Sequence, residues 1–318
     1  MKNTFYCPLQ EFGSLSLSGQ DARTFLQGQV TCDVTHVSST QGQAGAYCTP
    51  KGNVIANFDL LDFDATLMLH MPLSMVGSVK NAMAKYIVFS KAELTNSTDQ
   101  WQRIALWGDQ ATDCLTLLEA TIPDVRHSVS NFDGGFVWAN NSATNEYIIY
   151  CNAQASDRVM GLLQDNASLA DESVWQALQI SQGLAYVCAE TTDSYVPQML
   201  NLQATGAINF KKGCYTGQEI VARMQYLGKL KRHLFIGQVT TTSPLEVGQQ
   251  IDASKRKNVG KIISLAATGD NTYAFTAVIN CNEAQEDQLH LQQDEDAGIT
   301  MMPLPYEIDP QVFERVRL

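Results

Sequence analysis

The order in which strand-like and helix-like patterns follow one another most limits the fold of this chain. Residues 14–34 begin with alternating leucines, which predict a strand, and continue into a short helical stretch. Residues 44–70 predict two strands around a turn at 50–53 and then a third strand. An amphipathic helix is predicted at 73–86, and residues 87–94 return as a strand. The inward face of the helix at 73–86 is predicted to carry Met75, Val79, Met83 and Tyr86.

A similar order follows after residue 100, although no sequence repeat relates the two stretches. A strand at 103–108 precedes a helix at 111–118. A turn at 133–135 then precedes a strand at 136–140, another strand follows at 145–151, and residues 155–164 are helical. Residues 172–188 predict a helix that Gly183 ends as a left-handed cap. These patterns predict an α+β fold with one unit at about 1–100 and a second at about 101–230, the two being interleaved.

The last part of the chain has a different pattern. From residue 234 to residue 316, short β-like runs alternate with turn signals, which is typical of a small all-β domain. We therefore expect a C-terminal β-barrel at about 231–318. Residues 283–298 contain six acidic residues and no Lys or Arg, which favours a solvated loop within that domain.

Charge and cysteine usage exclude several classes of protein. The 318 residues include 21 Lys and Arg against 33 Asp and Glu, a net charge of -12, which argues against direct nucleic-acid contact. No apolar run has the length of a signal peptide or of a membrane span. The eight cysteines are too far apart for CxxC metal or cluster motifs. We expect reduced thiols, a cytoplasmic location and no membrane association.

Residues 210–233 are the most informative segment. Thr216 and Glu219 have the spacing of a capping box, so a helix is predicted to start near Gly217 and to end near Gly228. Cys214 comes just before that helix N-terminus and follows two lysines. Helix dipole and positive charge both favour the thiolate form, so Cys214 is the cysteine with a physical reason to be reactive.

The same segment is strongly basic in an otherwise acidic chain. Its only acidic residue is Glu219, which predicts a patch that binds anions. The basic residues are Lys211, Lys212, Arg223, Lys229, Lys231 and Arg232. The alternative interpretation is a surface helix with solvated charges and a structural cysteine at a tight turn.

The run KKGCYTGQEIVAR resembles the signature of the YgfZ family, the folate-binding tRNA-modifying proteins related to the glycine-cleavage T-protein. GQDARTFLQGQVTCDV, KYIVFSKAEL, VPQMLNLQATGAINFKKG and the final PLPY agree with the family in order and spacing. The resemblance implies two ferredoxin-like α+β units around a central opening, followed by a β-barrel. It also implies binding of tetrahydrofolate or a folate derivative, without a permanently bound metal or cluster.

The resemblance further implies a cellular role. The family supports the assembly or repair of iron–sulfur enzymes, including a radical enzyme that methylthiolates tRNA. The partners it implies are folate and either iron–sulfur enzymes or cluster-assembly proteins. An effect on tRNA would then be indirect, through the modifying enzyme, which agrees with the acidic net charge.

The chain departs from the T-protein at the positions that carry carboxylates there. Ala56 and Asn57 stand where the T-protein has two aspartates, and neither can act as a general base. Cys214 stands where the T-protein has an aspartate. Both departures argue against methylene transfer to folate.

The resemblance also suggests which residues carry function. Cys214 is the expected reactive thiol, and Gly213 and Gly217 are expected to allow the backbone of its loop. Folate contacts are expected at Phe12, Trp175, Gln198, Asn201, Lys212, Tyr215 and Arg223. The family usually has Trp where this chain has Phe12. Alternatives stay open, because Trp175 could face the core, and Gln198 and Asn201 could satisfy buried backbone groups.

Three functions are compatible with these observations. The leading hypothesis is a folate-dependent accessory protein for iron–sulfur enzymes in which Cys214 is essential. The second is a folate-dependent one-carbon transferase. The third is a non-catalytic module that docks a partner through the basic residues at 223–233.

Overall fold

The alternation of apolar and polar residues sets the strands of the protein, which we describe from a computed structural model. The structure describes residues 3–286 and 288–313. Contacts divide the chain into a first unit, Met1–Gly45 with Phe58–Glu172, and a second unit, Ala46–Asn57 with Ser173–Leu318. This division does not decide the linear boundaries 1–100, 101–230 and 231–318, which stay a prediction.

The regular elements follow the chain in this order. Up to residue 169 they are β1 (Thr4–Pro8), β2 (Phe12–Ser18), α1 (Ala22–Gln27), β3 (Gln43–Cys48), β4 (Val54–Phe63), β5 (Thr66–Pro72), α2 (Leu73–Ala84), β6 (Glu93–Asn96), β7 (Gln102–Gly108), α3 (Ala111–Leu117), β8 (Val129–Phe132), β9 (Gly135–Asn141), β10 (Glu146–Cys151), α4 (Ala153–Asn166) and β11 (Ser168–Leu169). The later elements are α5 (Glu172–Ser181), α6 (Gln218–Leu227), β12 (Arg232–Thr240), β13 (Gln250–Ala253), β14 (Arg256–Gly269), β15 (Thr272–Asn280), α7 (Cys281–Glu286), β16 (Leu289–Leu291) and β17 (Asp294–Met302).

One sheet belongs entirely to the first unit. Its strand order is β11-β1-β7-β10-β9-β8, antiparallel except for the β1–β11 pair. Ile104 and Leu106 of β7 share a buried cluster with Leu115 of α3 and Leu163 of α4. The two helices therefore cover one face of this sheet, as the apolar spacing of the helices requires.

The other sheet has the strand order β3-β4-β5-β2-β6. Leu15 and Leu17 of β2 lie opposite Leu69 and Leu67 of β5 and are fully buried. The chain passes from one unit to the other within β3 and again within β4. The hairpin predicted around residues 50–53 is therefore present, and its tip belongs to the second unit.

Polar side chains join the two sheets inside the first unit. His70 Nδ1 of β5 lies 2.6 Å from the Tyr150 hydroxyl of β10, and both side chains are buried. His127 Nε2 lies 2.8 Å from Asp59 Oδ1. These contacts satisfy groups that would be costly to bury alone.

The second unit contains a closed barrel with the strand order β12-β15-β14-β13-β16-β17. Side chains alternate between its interior and its outer face. Ile251, Ile262, Phe275 and Ile279 belong to the buried interior cluster. The predicted fold class, α+β sheets followed by a C-terminal barrel, is confirmed.

Three local predictions are wrong. Residues 283–298 are not one solvated loop: they include β16 and most of β17, because Leu289, Leu291 and Ala297 face the barrel interior while Glu295 and Asp296 are exposed. Tyr86 lies beyond the end of α2 and is 50% exposed. Residues 87–89 form a 3-10 turn, and the strand starts only at Glu93.

The helix predicted at 172–188 is confirmed in part. Helix α5 ends at Ser181, and Gly183 has a positive φ of 66° as expected of a left-handed cap, but residues 184–188 are not helical.

Within the described ranges, no helix combines the length and apolar composition needed to cross a membrane.

Candidate functional site around Cys214

Solvent exposure distinguishes Cys214 from the other seven cysteines. All eight lie in the described part of the chain as free thiols, and Cys214 is the one that is exposed. Burial is the main cause that raises the pKa of Cys7 and of Cys48 to about 12 and the pKa of Cys151 to about 11. Those thiols stay protonated at neutral pH and are inert. Cys214 is therefore the thiol that the fold makes available for chemistry.

The backbone before Cys214 is shaped by a side chain. Asn209 Oδ1 accepts hydrogen bonds from the backbone N–H groups of Lys211 (2.8 Å) and Lys212 (3.1 Å). A short polar side chain commonly supports a turn in this way. It directs the Lys212 side chain inward and leaves Gly213 and Cys214 at the surface.

Two buried side chains hold the loop on either side of Cys214. Lys212 and Tyr215 are 8% and 7% exposed, and the Lys212 Nζ lies 5.1 Å from the centroid of the Tyr215 ring. This is a cation–π distance, and such pairs gain strength when shielded from water. Burial, with a smaller contribution from Cys48, raises the pKa of Tyr215, so its phenol stays protonated.

The loop is also fixed where helix α6 begins. Gly217 has a φ of +84°, and a Cβ there would lie 2.5 Å from the Thr49 carbonyl oxygen and 3.1 Å from Gly52 Cα. Gly52 also has a positive φ, of 78°. Only glycine fits both the conformation and the approach at Gly217. The hairpin tip of the second unit therefore packs directly against the Cys214 loop.

The predicted roles of the two motif glycines are only partly correct. Gly217 needs its conformational freedom. Gly213 lies outside the left-handed region, and a Cβ there would have no atom within 4 Å among the described residues. The loop therefore does not require glycine at position 213.

Helix α6 begins and ends where expected, but without the predicted capping box. Its N-cap is Gly217, and no side chain caps it. A left-handed glycine at this position replaces the extended residue whose side chain would cap the helix. Glu219 is exposed, as is Arg223, and within the residues described neither makes an ion pair. Arg223 thus presents a guanidinium to solvent near the motif.

Gln198 and Asn201 hold backbone groups. Gln198 Nε2 donates to the Val221 carbonyl of α6 at 2.7 Å. Asn201 Nδ2 donates to the Leu234 carbonyl of β12 at 3.0 Å and lies 3.2 Å from the Tyr306 hydroxyl. Both residues are fully buried, and among the described atoms their side-chain oxygens have no hydrogen-bond partner. These two side chains join the Pro197–Leu200 turn to α6 and to the barrel.

The two aromatic residues expected at the folate site are both buried. Trp175 lies in α5 in the second unit and is 1% exposed. Phe12 lies in the first unit, where its ring is stacked on His70 at 4.6 Å with an interplanar angle of 3°. Their assignment as folate contacts stays a prediction.

Asn57 has a structural role that the sequence did not indicate. Its Nδ2 donates to the Ala185 carbonyl and its Oδ1 accepts from the Val187 N–H, both at 2.8 Å. An amide that uses both ends on the backbone cannot move a proton. Asn57 therefore fastens the hairpin strand to residues 185–187.

The residues of the second unit fit a folate unevenly. Arg223 offers an exposed cation of the kind that binds an anionic glutamate tail. Trp175, Gln198 and Asn201 are closed to solvent, so they fit a wall behind a ligand rather than a stacking face. Within the described ranges, no group of three His, Cys, Asp or Glu side chains is placed to hold a metal ion.

Sequence reasoning missed the contacts that hold the loop. Gly52 was recognised as part of a turn, but nothing local indicated that Gly217 packs on it. The Tyr306 hydroxyl donates to the Gly183 carbonyl at 2.8 Å, a link across more than a hundred residues. Both contacts pair residues that are remote along the chain, which single-sequence patterns do not reveal.

The sequence of this chain is similar to those of several known proteins. A family model described as the GCVT N-terminal domain matches residues 6–133. The tRNA-modifying protein YgfZ of Colwellia psychrerythraea is 34% identical over 312 residues, covering 97% of this chain and 95% of that protein. The tRNA-modifying protein YgfZ of Klebsiella pneumoniae is 28% identical, covering 95% of this chain and 92% of that protein.

A solved structure shares the fold. The glycine cleavage system aminomethyltransferase T from Bartonella henselae matches with a TM-score of 0.72 and 13% identity, over 95% of this chain and 86% of that chain. At that identity the match shows the fold alone. The sequence match over nearly the full length of both chains is the stronger finding, and by it this chain belongs to the YgfZ family.

Proposed function

We propose that this protein is a folate-binding accessory protein that supports the assembly or repair of iron–sulfur enzymes and thereby tRNA modification. Cys214 is its reactive thiol. The observation that carries this proposal is the exposure of Cys214 on a loop held by Lys212, Tyr215 and Gly217. An accessible thiol on a fixed loop is what a nucleophile, a redox group or a transient cluster ligand requires.

Family membership supports the link to tRNA, since relatives that match over the whole chain are tRNA-modifying proteins. Direct tRNA contact is not part of the proposal, because the chain carries a net charge of -12. The chain acts instead through an iron–sulfur enzyme that modifies tRNA. The free thiols agree with a reducing, cytoplasmic location, which we also propose.

We assign the anionic tail of the folate to the cation at Arg223. Lys212 and Tyr215 are assigned as the folate contacts on the Cys214 loop. Trp175, Gln198 and Asn201 support the wall behind the ligand, and a folate contact at Phe12 stays a prediction. Folate is a carrier of one-carbon groups, and that is the chemistry it supplies when bound. The protein's own residues bind and orient it.

Complementation tests the role of the thiol. Cells that lack their YgfZ protein are given the wild type, Cys214→Ser or the control Cys281→Ser, and methylthiolated tRNA is quantified by mass spectrometry. Cys281 is partly buried, and burial raises its pKa. We expect loss of the modification with Cys214→Ser alone. Normal modification in that variant, at equal protein level, would refute an essential thiol.

Titration with tetrahydrofolate tests the ligand, with tryptophan fluorescence as the readout. Wild type and Cys214→Ala should bind with equal affinity, because Cys214 is not among the proposed folate contacts. Arg223→Gln should weaken binding about tenfold, as expected for one lost charge-assisted hydrogen bond. Lys229→Gln, an exposed lysine outside α6, is the control. Absence of saturable binding by the wild type refutes the folate part of the proposal.

The two alternative functions receive less support. A one-carbon transferase needs a proton acceptor, and Asn57 is engaged with backbone groups at both ends. Product formation from a methylene or methyl donor by the purified protein would favour it. A docking module would lose partner binding, but not folate, on charge reversal at Lys229, Lys231 and Arg232.

A further inference from the structure

A cleft of about 350 Å³ lies on the outer face of the barrel, and none of the residues assigned to folate lines it. Its polar lining consists of Ser194, Tyr195, Arg232, Gln250, Asn258 and Lys261. This lining contains two cations and no carboxylate. In a chain with 33 acidic and 21 basic residues, such a composition runs against the average surface.

Strand register brings the two cations to the same face. Lys261 of β14 lies opposite Val278 of β15 on one side and opposite Gln250 of β13 on the other. Arg232 of β12 lies opposite Asn280, two residues from Val278. Residues that are directly opposite, or two apart on a strand, share a face. The floor of the cleft therefore spans four adjacent strands.

The interior cluster shows which face this is. Ile251, Ile262 and Ile279, each one residue along from the floor positions, face the barrel core. Arg232, Gln250 and Lys261 consequently project from the outer surface. Arg232 is exposed and Lys261 is half-buried.

The wall of the cleft is held in place by the hairpin of the second unit. The Val54 N–H donates to the Tyr195 carbonyl at 2.7 Å, and the Asp193 N–H donates to the Val54 carbonyl at 2.9 Å. Ser194 and Tyr195 are thus fixed over the barrel by backbone hydrogen bonds. A fixed wall lowers the entropy lost when a ligand is bound.

The groups around the cleft are hydrogen-bond donors. Burial raises the pKa of Tyr195 to about 12 against the opposing charge of Arg232, so its phenol keeps its proton at neutral pH. Asn258 Oδ1 accepts from Gln292 Nε2 at 3.0 Å, which leaves its Nδ2 as a donor. Within the part of the chain described, Arg232 and Lys261 make no ion pair.

We propose that this cleft binds a phosphate group. A guanidinium, an ammonium, hydroxyls and amide groups around one space offer more donors than the two oxygens of a carboxylate use, and they match the several oxygens of a phosphate. The phosphate is carried either by a small molecule or by the backbone of an RNA strand. The proposal is independent of folate binding and of Cys214.

Isothermal titration of the full-length protein at constant ionic strength tests this site. The titrants are inorganic phosphate, a 5′-mononucleotide and a single-stranded oligoribonucleotide without terminal phosphate, with succinate as the carboxylate comparison. We expect saturable binding of at least one phosphate compound and weaker binding of succinate. Binding of the first two alone assigns the site to small molecules, and binding of the oligoribonucleotide alone assigns it to RNA.

Substitutions locate the binding. Arg232→Gln and Lys261→Gln should each weaken it about tenfold or more, since each removes a charge-assisted contact. Lys85→Gln, an exposed lysine of the first unit, makes the same change in net charge and should have no effect. Because Arg232 is exposed, its variant keeps the test valid if Lys261→Gln does not fold. Equal loss with Lys85→Gln, equal affinity for succinate, or no binding of any phosphate compound would overturn the proposal.

Discussion

Replacing Gly217 with alanine tests whether the contact between the hairpin tip and the Cys214 loop holds the second unit together. The residue has a φ of +84°, and an added Cβ would lie 2.5 Å from the Thr49 carbonyl oxygen. A left-handed conformation costs alanine about 1–2 kcal/mol. Relieving an overlap with backbone costs about 1–3 kcal/mol more. We therefore expect Gly217→Ala to lower the free energy of unfolding by roughly 2–5 kcal/mol.

Two other glycines of the second unit separate the two contributions. Gly206 has a φ of +78°, but a Cβ there would have no neighbour within 4 Å among the described residues, so Gly206→Ala measures the conformational cost alone. Gly213 shares that open space without a positive φ, and Gly213→Ala should leave stability unchanged or slightly raised. The expected order of stability is Gly213→Ala, then Gly206→Ala, then Gly217→Ala.

Urea unfolding followed by circular dichroism measures this series, with the midpoint and the slope fitted for each variant. A loss of roughly 2–5 kcal/mol in a protein of this size corresponds to a fall in Tm of several degrees or more. If Gly217→Ala is as stable as Gly206→Ala, the close approach to Thr49 carries no energy. If it is as stable as Gly213→Ala, the argument from the loop geometry fails altogether.

Further predictions concern the thiols, a buried histidine and a helix cap. Brief alkylation of the native protein at pH 7.5 should label Cys214 at least about 100-fold faster than Cys48, because a buried thiol reacts only after local opening. Peptide mass spectrometry measures the labelling rate of each cysteine, and similar rates would contradict the proposed site. Burial, opposed by Asp59 and reinforced by Arg103, lowers the pKa of His70 to about 4. The unfolded chain therefore binds the imidazole proton of His70 more tightly than the folded chain does, so the free energy of unfolding falls as the pH drops below about 6.5 and levels off near 4. His70→Gln should reduce the loss of stability between pH 7 and pH 4.5, measured by urea unfolding at both pH values. An unchanged loss in this variant would refute the assignment. Asn152 accepts from the N–H groups of Gln154 and Ala155 at the start of α4, so Asn152→Ala should cost about 1 kcal/mol and Asn152→Ser much less, and equal stabilities of the two variants would contradict a capping role.

Local pattern predicted much of the fold because each strand buries one face. The alternation at Leu15 and Leu17 and the hairpin around residues 50–53 follow directly from period-two spacing. The same physics explains the error at residues 283–298. A barrel strand has one face in water, so acidic residues there are compatible with a strand whose other face carries Leu289 and Leu291.

The candidate site was predictable in part. The position of Cys214 just before a helix and the extent of α6 follow from a local motif, whereas the exposure of Cys214 is seen only in the structure. Hydrogen bonds from Gln198 to Val221 and from Asn201 to Leu234 do not, because each joins segments that only the tertiary fold brings together. The sequence alone could not show whether Gln198 and Asn201 contact a ligand or hold backbone groups.

The division of the chain has a consequence for its synthesis on the ribosome. The hairpin Ala46–Asn57 is made before Phe58–Glu172, yet its packing partners lie in Ser173–Leu318. At a translation rate of about 5–20 residues per second, synthesis reaches residues 193–195 and the Cys214 loop, which contact the hairpin, only roughly 7–32 s after the hairpin itself. A nascent chain cut short before the motif would leave Thr49 and Gly52 without their native partner, Gly217, and a fragment that begins at Ser173 would lack the part of the second unit at Ala46–Asn57.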